Sequence, residues 1–268
     1  MKKLYDWGSL NSEHISIVNQ LCNKWDNLIE QNKQERYYQS FLAEHAGFFL
    51  SDWNAKLVIS KLKMGSELEC DFVVVKDGFS AGTIYEFIEI EKPGSRLFTK
   101  NGIPSKDFNT SLQQIRDWRR WLIENKSYFK KFLPTVNTRV LSDSQIKFKI
   151  VIGRRDEQIS LEKRNQIANE NHIEIRSFDS LADKLRGDLI HGELWHQRED
   201  KGYVYLINKI SSPFLKAITD SSWKELCDSK SIPPSHFYSN VDSSISEHLK
   251  FNKLFEEYKK LVHANYFL

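Results

Sequence analysis

Three runs of strand-forming residues follow one another between residues 56 and 91, with turn residues between them. The first, 56–64, alternates around Leu57, Ile59 and Leu62. The second is "LECDFVVV" and the third "TIYEFIEIE". "KDG" separates the last two as a turn, and Pro93-Gly94 ends the third. Three successive strands form the nucleus of a sheet.

Helical spacing holds on both sides of the strands. Asn11 or Ser12 can cap a helix in which Ile15, Val18, Leu21, Cys22, Trp25 and Leu28 recur at helical intervals. A second helix is expected from Lys33 to Ala46, stopped at Gly47. After the strands, "DFNTSLQQIRDWRRWLIENK" reads as a helix opened by Asp107 or Asn109, with Leu112, Ile115, Trp118 (or Arg119) and Leu122 as its apolar stripe. "QIKFKIVIG", "ISLEKRNQIANEN", "IEIRSF" and "DSLADKLRGDLI" then read as strand, helix, strand and helix. The order α-β-β-β-α-β-α-β-α argues a mixed α/β sheet. After Gly192 the texture changes: "DKGYVYLINKI" suggests one more strand, and a helix is expected to close the chain from Ile245. The expected division is an N-terminal helix (1–32), a core (33–190) and a C-terminal extension (191–268).

Composition narrows the functional classes. Net charge is only +3, so affinity for nucleic acid has to come from a local patch. Cys22, Cys70 and Cys227 are isolated, which suits a reducing, cytoplasmic setting. The opening MKKLYDWGSL has no apolar stretch of signal-peptide type, and no run approaches a membrane span. There is no GxxxxGK[ST], hence no expected nucleotide cofactor. "HGELWH" places His191 and His196 at a spacing unlike a zinc helix.

Acids are the anomaly. Glu86, Glu89 and Glu91 occupy one β-prone run, with Asp71 in the run before it. Alternation puts Tyr85, Phe87, Glu89 and Glu91 on one face and Glu86, Ile88, Ile90 and Lys92 on the other. If the two runs pair as a hairpin through Lys76-Asp77-Gly78, Asp71 and Glu89 stand beside each other across the ladder. Like charges so placed repel unless a cation lies between them. Oxygen ligands on rigid strands suit Mg²⁺, with Mn²⁺ able to substitute. A metal held there can activate water and stabilise a phosphodiester in transit. The competing reading is a solvated strand face with each acid near a lysine.

These residues carry a resemblance. An Asp at the start of the second long strand and an acid-x-acid end to the third resemble the PD-(D/E)xK nuclease superfamily. More narrowly, "ERYYQSFLAEHAGFFL", "ECDFVVV", "EFIEIEKPGSRLF", "SLQQIRDWRRWL", "KIVIGRR" and "IEIRSFDSLADKL" occur in the order found in the Shedu anti-phage defence nuclease family. The resemblance covers roughly residues 33–190. It implies a restriction-endonuclease-like αβββαβ core, with Asp71 and Glu89 as the metal-binding carboxylates. Gln114, Glu35 and, ranked lower, Glu44 match further site positions, and Gln114 begins a Gln-x-x-x-aromatic pattern completed by Trp118. Glu91 falls where the family usually has a lysine. A glutamate there can act as a base or hold a metal but cannot stabilise developing negative charge. Lys92 takes over only if the strand bulges before Pro93.

Around the acids, Lys92, Arg96, Lys100, Lys106, Arg116, Arg119 and Arg120 form a cationic cluster suited to phosphates without sequence readout. Arg154, followed by Arg155, adds a contact at a strand end. Trp118 and Trp121 are read as packing rather than base-stacking residues. The expectation is a defence nuclease that hydrolyses DNA with Mg²⁺, acting as a homo-oligomer by analogy, with no membrane partner. The alternatives are a restriction or repair nuclease, and a nucleic-acid sensor or scaffold that has lost turnover through Glu91.

Overall fold

The computed structural model describes residues 12–52, 54–78, 82–133, 146–155, 161–190, 213–228 and 249–257. Its element order is α1 (Ser12–Glu30), α2 (Glu35–Glu44), α3 (Ala46–Phe49), β1 (Ala55–Met64), β2 (Leu68–Asp77), β3 (Thr83–Ile90), α4 (Lys106–Glu124) and α5 (Lys126–Phe132). After these come β4 (Ile146–Val151), α6 (Leu161–Asn171), β5 (Glu174–Arg176), α7 (Phe178–Ile190), β6 (Ile218–Thr219) and α8 (Asp220–Asp228). The six strands form one sheet in the order β5-β4-β3-β2-β1-β6. The short connections make β1, β2 and β3 antiparallel neighbours, and helical crossovers make β3, β4 and β5 parallel. The mixed α/β sheet flanked by helices is therefore the expected one.

Nearly every residue of β3 is buried, because helices cover both faces of the sheet. On one face Phe87 packs against Trp118 of α4, Phe129 of α5 and Phe148 of β4, with ring centroids 6.5, 5.9 and 5.8 Å away. Leu112, Ile115, Trp118 and Leu122 are all buried, as the stripe requires. Trp121 is partly buried and meets Tyr128 edge to face, so both tryptophans pack. Across the sheet lies an aromatic layer centred on Trp25 of α1. Trp25 stacks on Phe178 of α7 at 5.6 Å and donates through Nε1 to the Phe178 carbonyl at 3.0 Å.

Three local expectations are corrected. The helix from Lys33 to Ala46 is broken at His45 into α2 and α3, and Gly47 lies inside α3 rather than ending a helix. Its N–H donates to the Leu215 carbonyl at 2.9 Å, a tertiary contact invisible to local sequence. Ser105, not Asp107 or Asn109, caps α4, accepting from the Phe108 N–H at 3.1 Å. Helix α5 has no counterpart in the sequence reading.

The segments flanking 33–190 join the same core: α1 packs along α7, and β6 adds a parallel edge strand to β1. The strand expected in "DKGYVYLINKI", and His191 and His196, lie outside the described residues. Of the closing helix expected from Ile245, residues 249–257 are described: 253–257 is helical, but 249–252 is not, because Phe251 forms an antiparallel bridge with Leu215 instead. No described helix is long and apolar enough to cross a membrane. Trp25→Ala removes the largest ring at the junction of α1, α2 and α7, and is expected to destabilise the protein by about 3–5 kcal/mol in urea unfolding.

Candidate active site

The buried stretch of β2 begins with Cys70 and Asp71. The register that pairs Phe72 with Ile88 and Val73 with Phe87 sets Asp71 opposite Glu89, as the hairpin argument requires. The Ile90 N–H donates to Asp71 Oδ2 at 2.8 Å, so the carboxylate closes the end of the ladder. Asp71 Oδ1 accepts from Gln39 Nε2 at 2.8 Å and from Lys61 Nζ at 2.5 Å. Gln39 also donates to Glu35 Oε1 at 2.6 Å. Glu35 and Gln39 are one turn apart on α2, so one side-chain amide spans two carboxylates.

Glu89 is 6% exposed, and Glu91 lies just past the end of β3. The Glu91 N–H still donates to the Val151 carbonyl at 2.9 Å, keeping its backbone against β4. Glu91 Oε1 accepts from Ser111 Oγ of α4 at 2.8 Å. Gln114 lies one turn further along that helix face, and its Oε1 is buried with no hydrogen-bond partner. Gly153, at φ +69°, lets the end of β4 approach the loop after β3, where its N–H donates to the Lys92 carbonyl at 3.1 Å. A Cβ there would lie 2.6 Å from the Ser95 carbonyl.

Burial pushes Glu89 up to about 10, and Asp71, Glu91 and Glu35 add to the rise through their charge. Burial likewise raises Glu35, with Asp71 and Glu91 contributing. It raises Asp71 as well, although Lys61 and the Ile90 N–H pull the other way. Glu91 is raised by burial and lowered by Ser111. Lys92 lowers both Glu35 and Glu91. Because β3 stops at Ile90, the alternation of faces no longer governs Lys92, whose charge reaches the acids without a bulge.

Glu86 belongs to a different arrangement. It pairs with Lys76 at 2.9 Å and Lys149 at 3.1 Å, and Lys76 continues to Asp52 at 2.5 Å. That ion-pair network is structural: each buried acid in it has a lysine. At the other cluster four carboxylates, Glu35, Asp71, Glu89 and Glu91, face two lysines, Lys61 and Lys92.

Among the described residues, no group of three or more His, Cys, Asp or Glu side chains stands in metal-holding geometry. The donor set nonetheless fits a hard divalent cation that keeps most of its water and takes one or two carboxylates. Asp71 and Glu89 are the two carboxylates that the ladder sets side by side for such an ion, and the Oε1 of Gln114 is buried without a hydrogen-bond partner.

Of the cationic candidates, Lys92, Arg96, Lys100 and Lys106 are exposed on the loop and helix start that follow the acids. Arg116 and Arg120 stand roughly half a turn around α4 from Ser111 and Gln114. Arg116 and Arg119 donate to Asn171, Arg119 lies over the Phe148 ring, and Arg120 pairs with Asp117. Arg154 pairs with Asp179 at 2.8 Å and Arg155 with Asp183. Glu44 pairs with Lys216 at 2.5 Å. Arg116, Arg119, Arg120, Arg154, Arg155 and Glu44 thus have partners away from the acid cluster, whereas Lys92 stands beside it.

Sequence reasoning missed Lys61, Gln39 as a direct partner of Asp71, and Ser111. Lys61 had a signal. A hairpin turning at Gly65 places Ser60 against Phe72 and Leu62 against Cys70, which sets Lys61 opposite Asp71. The sequence reading paired the second and third strands but not the first and second. Lys61 also has φ +55° inside a strand, a backbone state that costs on the order of 1–3 kcal/mol.

A family model described as "Shedu protein SduA, C-terminal" matches residues 32–182. That is more than half of the chain. The chain belongs to the Shedu family. Membership makes it a Shedu defence-system protein, and the matched span contains Glu35, Lys61, Asp71, Glu89, Glu91, Ser111 and Gln114. All of α1, and β6 and α8, lie outside it. No curated protein matches the sequence.

The raised carboxylates of this Shedu protein give a pH prediction. An acid with a higher pKa folded than unfolded adds stability below its unfolded value, about 4.3, and loses it as pH rises towards the folded value. For Glu89 that folded value is about 10. The metal-free protein should therefore melt lower at about pH 8.5 than at about pH 6 in EDTA. Glu89→Gln should flatten that dependence and stabilise the metal-free fold by about 1–3 kcal/mol at the higher pH. Thermal unfolding of both proteins checks this.

Proposed function

We propose that this Shedu protein is a metal-dependent DNA nuclease built on a PD-(D/E)xK core, hydrolysing phosphodiester bonds in defence against phage or plasmids. The observation that carries the reading is the convergence of Asp71, Glu89, Glu91 and Glu35 at one sheet end, two of them paired across the ladder and short of positive charge. Asp71 and Glu89 hold Mg²⁺, and Mn²⁺ can take its place. When bound, the ion supplies Lewis-acid stabilisation of a phosphoryl oxygen and an activated water. Glu91, held by Ser111, positions water by accepting its proton, and Glu35 supports water from the α2 side. Gln114 offers its buried oxygen to the same space. Lys92, Arg96 and Lys100 hold backbone phosphates on the exposed loop, an electrostatic contact without sequence readout. The arginines of α4 touch only DNA that continues over the opposite side of that helix. Assembly as a homo-oligomer in the cytoplasm belongs to the same proposal and rests on analogy with the family.

Linear and supercoiled plasmid, incubated with the protein in Mg²⁺, Mn²⁺ or EDTA, tests this. Cutting should require the metal, and Asp71→Asn or Glu89→Ala should slow it by at least about a hundredfold. Cutting in EDTA, or an undiminished rate in Glu89→Ala, would overturn the assignment. The sensor reading is favoured by Glu91 in the usual lysine position. An inert wild type whose Glu91→Lys variant cuts would make that glutamate a brake.

A further inference from the structure

We propose that Lys61 is a tethered placeholder for the metal: its ammonium occupies the cation position on Asp71 and moves to Glu69 when a divalent ion arrives. The inference rests on reading Asp71 and Glu89 as metal ligands.

Three features of the structure carry it. First, the two oxygens of Asp71 are unequal. Oδ2 accepts the Ile90 N–H of the ladder, whereas Oδ1 accepts from Gln39 Nε2 at 2.8 Å and from Lys61 Nζ at 2.5 Å, so the one charged group on the carboxylate already stands where a cation would. A dication and an ammonium cannot share that oxygen, because like charges at such separation repel strongly in a buried site.

Second, Lys61 has a place to go. Its Nζ is 3.5 Å from Glu69 Oε1, and Glu69 stands two residues before Asp71, on the same side of β2. The side chains of Lys61 and Glu69 are each 44% exposed, so the transfer leaves the core closed. Asp71 is 8% exposed and stays where the ladder fixes it. The exchange replaces one positive charge with two at a cluster of four carboxylates.

Third, the backbone is strained where the lysine stands. Among the described residues the other non-glycine positions with positive φ, Asn32 and His172, lie in turns after helices. Lys61 alone of the three lies inside a strand, so no turn accounts for it. Strain of this kind persists where the surrounding structure enforces it and gathers at functional sites.

Mn²⁺ titration by calorimetry on the full chain tests the idea without relying on turnover. Lys61→Met removes the competing ammonium and should tighten Mn²⁺ binding about tenfold. Glu69→Gln removes the alternative partner and should weaken binding several-fold. Lys61→Gly also removes the ammonium and suits the positive φ, so it serves if the methionine variant folds poorly. Unchanged or weaker binding in the lysine variants, with binding intact in wild type, would overturn the placeholder and leave the metal site standing. Absence of Mn²⁺ binding in wild type and variants alike would overturn both.

Discussion

The carboxylate of Asp71 holds the site together. One oxygen closes the β2–β3 ladder by accepting the Ile90 N–H, and the other gathers Gln39 from α2 and Lys61 from β1. Four elements are thereby fixed around a buried charge. A buried carboxylate is tolerated only when its lone pairs are filled, which makes these contacts conditions of folding as well as of chemistry. Among the described residues Glu89 has no comparable set of donors. Burial and the charges of Asp71, Glu91 and Glu35 raise its proton affinity, and Lys61 offsets them only in part.

One strand thus serves two electrostatic ends. Alternation sends Glu86 to the face where Lys76 and Lys149 neutralise it, and Glu89 to the face where α4 contributes Ser111 and Gln114. The first arrangement is satisfied within the protein. The second is short of positive charge, and that shortfall separates a candidate cation site from an ordinary buried salt-bridge network. The same comparison explains the arginines of α4. They lie on the helix side turned from the acids and are bonded to Asn171 or Asp117.

Segments beyond the family span support this geometry indirectly. Strand β6 pairs with Ile59 and Ser60, next to Lys61, and Asp220 at the start of α8 accepts the Lys63 N–H at 3.2 Å. The distorted part of β1 is therefore braced from its outer edge by a chain segment more than 150 residues away. On the other side of the sheet, Trp25 and Phe178 lock α1 to α7.

The sequence alone determined the alternation of elements, the apolar stripe of α4 and the burial of Trp118. It also placed Asp71 opposite Glu89, because a period of two and one turn position fix a hairpin register. The ordered motifs carried the family, and through it Glu35 and Gln114. What local pattern could not contain was decided by tertiary structure. Gly47 looks like a helix stop until Leu215 receives its N–H, and Ser105 becomes the cap because the loop before α4 folds back on Leu97. Lys61 becomes part of the site only when β1 is laid against β2. The physical reason is the same in each case. Periodicity encodes which face of an element is buried, whereas the partners of a buried polar group come from chain segments that only folding brings together.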